Sequence, residues 1–215
     1  MKIVAIADTH NKHNLILPEH LSGDMIIHAG DISSTGSKLG VEAFLYWFDS
    51  LPFKYKIFIA GNHDWYFDIT PKKVIKKLLK LYPNIIYLND SGVTIEGFKI
   101  WGSPIQPWFY NWAFNRFGES IQPHWDKIPA NTEILITHGP ARGYGDMTTD
   151  GDFAGCPRLF SKIVSLQHLK LHICGHIHEG YGRRMLYNQT EMINASVLDE
   201  QYVMVNNPVE IIITK

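Results

Sequence analysis

Ile3-Val4-Ala5-Ile6-Ala7 runs directly into Asp8-Thr9-His10, and the same arrangement returns four times along the chain. Met25-Ile26-Ile27-His28-Ala29 leads into Gly30-Asp31, and Lys56-Ile57-Phe58-Ile59-Ala60 into Gly61-Asn62-His63-Asp64. Glu133-Ile134-Leu135-Ile136-Thr137 leads into His138-Gly139, and Leu171-His172-Ile173-Cys174 into Gly175-His176-Ile177-His178. A short apolar run rich in β-branched residues reads as a strand buried on both faces. Open α/β sheets place their chemistry just beyond the carboxyl ends of such strands. The five runs therefore predict a rim that gathers Asp8, His10, Asp31, Asn62, His138, His176 and His178.

Those seven side chains are a metal-ligand set. A single catalytic zinc commonly takes three protein ligands and an open position, so seven donors exceed the need of one ion. If Asp31 is shared, each of two ions receives about four protein ligands. Imidazole and carboxylate donors without thiolate suit manganese, iron, zinc or cobalt better than calcium or magnesium. Taken singly, each fragment is an ordinary loop; Gly-Asn-His-Asp, for example, is also good turn sequence. Five in succession, each closing an apolar run, are not ordinary.

These blocks make up the motif set of the calcineurin-like metallophosphoesterases, which the chain resembles over nearly its whole length. The likeness extends to the MPPED-type metallophosphodiesterases and the related class III cyclic nucleotide phosphodiesterases. It is carried there by Pro107-Trp108-Phe109, Trp112-Ala113-Phe114-Asn115, Gly155-Cys156-Pro157, Ile193-Asn194-Ala195-Ser196 and Asn207-Pro208. The resemblance implies a four-layer αββα sandwich of two mixed sheets flanked by helices. It also implies that Asp8, His10 and His178 hold one divalent ion and Asn62, His138 and His176 the other, with Asp31 bridging. Two ions roughly 3.5–4 Å apart clamp a phosphoryl group and acidify a bridging water that attacks phosphorus. His63 would assist the leaving oxygen instead of binding metal, a role that suits imidazole. Asp64 is expected to hold the His63 ring in one tautomer.

Departures from neighbouring families narrow the reading. Purple acid phosphatases carry a tyrosine ligand three residues after the Gly-Asp aspartate, where this chain has Ser34. Serine/threonine protein phosphatases place an arginine after that motif, and Ile32-Ser33-Ser34 has none. Several animal MPPED-type proteins have glycine in place of His176; the retained imidazole implies a complete two-metal centre. Manganese is the favoured ion.

Composition bounds the rest. The chain has 215 residues and a formal net charge of −1, so one domain is expected and no basic field draws in nucleic acid. Two cysteines, Cys156 and Cys174, are too few for a disulfide framework. With no leader-like segment before the first strand and no membrane-length apolar run, the expected location is cytoplasmic and away from membranes.

Helices are expected over residues 37–50, from Thr70-Pro71 onward, and over 157–167. The lysines at 72, 73, 76, 77 and 80 read as the solvated face of the second helix. Later runs at 92–95, 98–101, 185–187, 191–193 and 209–214 carry no ligands and suggest a second sheet on the first. Residues 108–125 hold seven aromatics, read mainly as anchors of a long loop, with a base-stacking wall as the alternative. Arg142, in a glycine-rich loop after His138, is a candidate phosphate contact, and Asn62 is a candidate for both metal and substrate. His13, His20, His124 and His168 read as surface or loop residues, and His28 and His172 as hydrogen-bonded core residues.

The expected activity is hydrolysis of a small phosphodiester, such as a cyclic nucleotide, at a dinuclear centre. A phosphomonoesterase, a nuclease or a non-catalytic scaffold of the same fold are the alternatives.

Overall fold

In β1 (Lys2–Ile6), Ile3 and Ala5 enter one apolar core while Val4 and Ile6 enter another. That division recurs in β2 (Met25–Ala29) and β3 (Tyr55–Ile59), and it is why these strands lack polar alternation. The computed structural model describes residues 1–215. Four further strands follow: β4 (Ile85–Tyr87), β5 (Ser91–Ile95), β6 (Phe98–Ser103) and β7 (Gln106–Pro107). After β8 (Asn115–Arg116) come β9 (Ile134–Thr137), β10 (Leu171–Cys174), β11 (Gly182–Met185), β12 (Glu191–Asn194) and β13 (Val209–Ile212).

The first sheet has the order β13-β1-β2-β3-β4, parallel except for β13. The second runs β11-β12-β10-β9-β6-β5, with a parallel centre and antiparallel edges at β11 and β5. Ile3, Ile27, Ile57 and Ile59 of the first sheet share a core with Ile100, Ile134, Ile136 and Ile173 of the second. Helices cover the outer faces. Phe44 and Phe48 of α1 (Lys38–Ser50) pack against Phe58, and Leu159 and Ile163 of the last helix join Leu135 and Met192 in the outer core. The result is the expected four-layer αββα sandwich.

Several expectations need correction. The five ligand-bearing strands do not lie in one sheet: β1, β2 and β3 belong to the first, β9 and β10 to the second. Burial on both faces looks the same in either sheet, so the apolar runs alone do not say which strands pair. Residues 209–214 join the first sheet beside β1, not the second. The strand expected at 185–187 ends at Met185, and β4 carries no sequence signal because three residues leave no periodicity.

The helices hold with shifted ends. Ser37 caps α1 through its hydroxyl, which accepts from the Gly40 amide, and Leu39 points to solvent while Val41 is buried in the core. Thr70 closes a short α2 (Trp65–Ile69), so α3 (Lys72–Leu79) starts one residue late, with Pro71 as its cap. Its lysines are exposed, as expected. After α4 (Gln122–Asp126), α5 spans Pro157–Ser165, its first turn closed by Cys156 Sγ accepting from the Leu159 amide. Both cysteines are buried and free.

Candidate metal centre

Three of the five motif loops turn so sharply that ordinary backbone conformations fail. Asp8, His10, Asp31 and His176 all sit in the left-handed region, at φ 55°, 41°, 54° and 71°. Non-glycine residues rarely adopt it, and such strain concentrates at functional sites. Glycines allow the loops to close on one another. A Cβ on Gly30 (φ 102°) would strike the His138 ring, and one on Gly61 would strike the Asp31 carboxylate.

The sheets are sutured at this point. The Ala7 amide donates to the Ala195 carbonyl at 2.8 Å, and the Val197 amide to the Ala7 carbonyl at 3.1 Å. This joins the ends of β1 and β12, so the carboxyl ends of both sheets open onto one cleft. The expected convergence is therefore real, but two sheets make it.

Within the cleft, Asp31 Oδ2 lies 3.4 Å from His138 Nε2, 3.6 Å from His10 Nε2 and 4.0 Å from His63 Nε2. Asn62 Oδ1 approaches His138 Nε2 at 2.8 Å. Asp8 Oδ1 lies 3.9 Å from His178 Nε2. Asp8, His10 and His178 form one group with ligand atoms within 4.8 Å of one another, and Asp8, Asp31 and His138 form another. His176 falls in no such triple, but its ring sits 5.1 Å from that of His138 and its amide donates to Asp8 Oδ2 at 2.9 Å.

Three imidazoles are aimed by the same device. His63, His138 and His178 each donate Nδ1–H to a backbone carbonyl, of Ser34, Ala29 and Asp199, at 2.8, 3.0 and 2.8 Å. Each therefore turns Nε2 towards the carboxylates, the arrangement seen behind metal-bound histidines. Two buried histidines brace the loops behind them. His28 Nδ1 accepts from the Gly30 amide, so its Nε2–H donates to Thr9 Oγ1 at 2.9 Å, tying the Asp8 loop to the Asp31 loop. Thr137 donates to the Gly139 carbonyl and accepts from His172 Nε2 at 2.8 Å.

The electrostatics fit cations. Asp8 Oδ1 and both ring nitrogens of His10 are buried with no hydrogen-bond partner. Such orphans cost about 1–3 kcal/mol each unless something satisfies them. Burial pushes His10 down to about 4, and burial together with His138 pushes His176 down to about 3, leaving both as neutral donors. Burial also opposes charge on His138, but Asp31 outweighs it and raises His138 to about 9. Burial opposes ionisation of Asp31 as well, and His138 and His10 hold it well below the usual range. The cluster thus has a carboxylate and an amide oxygen converging on one ring nitrogen, which a divalent ion would satisfy as a proton does. The donor chemistry, with Asp8, His10, Asp31, His138 and His178 grouped within reach of one another, fits a divalent cation.

His63 shares a group with His10 and Asp31, but it faces the cluster from the open side. Its side chain is 14 % exposed, against 2 % for His10 and 0 % for His138. Trp112 lies over its ring at 4.2 Å and 30°, and His10 meets it edge-on at 4.6 Å.

Asp64 does not hold that ring. Its carboxylate accepts from the amides of Gly61, Ile32 and Ser33 and from the Ser33 hydroxyl, binding the Asp31 loop to the Asn62 loop. Burial, then the Asp31 charge, raises it to about 7. The Ser34 carbonyl performs the task expected of Asp64. Arg142 donates to the Phe153 carbonyl and lies over the Phe153 ring, within its own loop, and makes no hydrogen bond to any residue of the cluster.

The aromatic loop divides. Phe114 and Trp125 are buried anchors, Trp112 covers His63, and Trp108, Phe109, Tyr110 and Phe117 are exposed. His28 and His172 are core residues as expected, and His20 and His168 remain outside the core. His13, however, is buried against Trp47, and His124 is paired with Asp90. Sequence reasoning also misses Tyr202, whose ring meets His10 at 4.9 Å and His178 at 5.4 Å. No motif marks it.

Comparison with known proteins agrees with this geometry. The model of the calcineurin-like phosphoesterase family matches residues 1–180. Metallophosphoesterase domain-containing protein 1 of Homo sapiens is 39% identical over 98% of this chain and 70% of its own length. UPF0046 protein T07D4.2 of Caenorhabditis elegans is 35% identical over 97% of this chain and 59% of its own. Among solved structures, a dimetal phosphatase from Danio rerio has a TM-score of 0.56 at 13% identity, covering 90% of this chain and 86% of that one. TT1561 of Thermus thermophilus reaches 0.62 at 12% identity, over 90% and 88%. Those structural likenesses speak for the fold; the family match and the human relative speak for descent. No helix is long and apolar enough to cross a membrane. Site, fold and sequence agree, and the chain belongs to the calcineurin-like phosphoesterase family.

Proposed function

We propose that this phosphoesterase is a dinuclear-metal phosphodiesterase of small substrates, with cyclic nucleotides among them. The supporting observation is Asp31 Oδ2, set among three imidazole Nε2 atoms while Asp8 Oδ1 and His10 Nε2 stay buried and unpartnered beside it. Two divalent ions there would supply Lewis acidity to the phosphoryl oxygens and lower the pKa of solvent at the centre. Imidazole and carboxylate donors without sulfur admit manganese, iron, zinc or cobalt, and manganese is the ion proposed.

The chain's own groups do the rest. His63, with Nδ1 held by Ser34, presents Nε2 on the open side, where it can give a proton to a departing oxygen. Trp112 shields one face of that ring from water. Asn62 and Asp31 are fixed by the Asp64 hub, so positioning costs little when substrate arrives. The rings of Trp112 and Tyr202 lie against His63 and His10, which favours a small ester.

The test is turnover by manganese-loaded protein of bis-p-nitrophenyl phosphate, 2′,3′- and 3′,5′-cyclic nucleotides, and p-nitrophenyl phosphate. Preference for the diesters is expected. Turnover of the monoester alone would replace this reading with a phosphomonoesterase, and no turnover with any metal would favour a scaffold.

A further inference from the structure

Tyr202 occupies a position that the fold does not require. Its backbone is in the left-handed region at φ 60°, which is unfavourable for a bulky side chain. The surrounding turn holds it there. Asp199 Oδ1 accepts from the amides of Gln201 and Val203 at 3.0 and 2.8 Å, and the Tyr202 amide donates to the Asp199 carbonyl at 2.9 Å. Lys12 Nζ donates to the Tyr202 carbonyl. The same Asp199 carbonyl accepts from His178 Nδ1, so the turn is wired directly to a ligand of the centre.

This wiring aims an aromatic ring at the mouth of the cleft. Tyr202 meets His10 and His178 edge-on and lies 6.4 Å from His63, yet it remains 40% exposed. Its hydroxyl makes no hydrogen bond within the protein, so the turn is not built to satisfy that group. A strained residue kept in place by several hydrogen bonds, with part of its ring open to solvent above a reactive cluster, points to a ligand contact.

We infer that Tyr202 is a positioning residue whose ring forms a wall for a planar organic group of the ester, aryl or nucleobase, on the side from which His63 serves the leaving oxygen. The inference rests on the phosphoesterase reading above. Flat groups stack on aromatic rings through shared π-faces and excluded water, whatever their hydrogen-bonding pattern. The wall therefore selects for planarity and acts on binding.

The experiment compares Tyr202→Ala, Tyr202→Leu and Tyr202→Phe with the parent, all loaded with manganese, on bis-p-nitrophenyl phosphate. Inorganic phosphate is the competing probe, because it engages the centre without a planar group. Alanine and leucine should raise KM about fivefold or more while kcat stays within about twofold. Phenylalanine should retain the parent KM, and metal content and the phosphate inhibition constant should not move in any variant. Leucine keeps bulk without planarity, so it guards against collapse of the turn. Unchanged KM in the alanine variant, an equal loss in the phenylalanine variant, or a phosphate constant rising in step with KM would each overturn the inference. Repeating the series on p-nitrophenyl phosphate separates the two claims. If the parent hydrolyses only that monoester, the diester reading falls, while the KM ratio still decides Tyr202.

Discussion

The ligand cluster and the loop at 108–117 border the same cleft but are built in opposite ways. In the cluster, Asp8, Asp31, Asn62, His138 and His178 are all buried, and backbone groups tether all of them but Asn62, which meets His138. In the loop, Trp108, Phe109, Tyr110 and Phe117 are half exposed or more, and only Ala113 and Phe114 reach the core. The cluster holds its charges in place before any substrate arrives, as electrostatic catalysis requires. The loop presents apolar surface that can adapt. Tolerance to substitution should therefore rise steeply from the first region to the second.

The largest effect is expected at the centre of the cluster. Asp31→Asn removes the carboxylate that faces three imidazoles, so phosphoesterase activity should vanish and metal content should fall, as read by elemental analysis. His63→Ala should lower kcat about 10²-fold or more with metal content intact, because it removes a proton donor on the open side. Loss of the ions in that variant would move His63 into the ligand set and erase the distinction between wall and donor.

Trp112 belongs to the loop by sequence and to the cluster by contact, so it sharpens the comparison. Trp112→Ala frees one face of His63 and should cost about tenfold in kcat, with little change in metal content. The smallest effect is expected at Phe117, whose ring is 76% exposed. Phe117→Ser should leave the rate within about twofold and unfolding free energy within about 0.5 kcal/mol. A larger loss there would show that the loop tip is part of the site.

The same contrast explains what the sequence reveals. The convergence of the seven candidate residues is legible because each follows an apolar run and because glycines at Gly30 and Gly61 mark where loops must nearly touch. The αββα layering is legible through the resemblance, but the split of ligand strands between two sheets is not, since both sheets bury both strand faces. Adjacency in sequence misplaces Asp64 beside His63, whereas its carboxylate turns inward to three amides. A loop position says nothing about where a guanidinium finds its partner, and that of Arg142 donates to the Phe153 carbonyl. Tyr202 has no signal at all, as a single tyrosine after Asp199-Glu200-Gln201 follows neither an apolar run nor a glycine. Contacts made by isolated residues across distant loops leave no pattern to read.

Whether Asp31 joins two ions is tested most directly by anomalous diffraction at the manganese edge, from crystals of manganese-loaded protein. Two peaks about 3.5–4 Å apart are predicted, one beside Asp8, His10 and His178 and the other beside Asn62, His138 and His176, with Asp31 touching both. A single peak, or an empty cleft at saturating manganese, would contradict it.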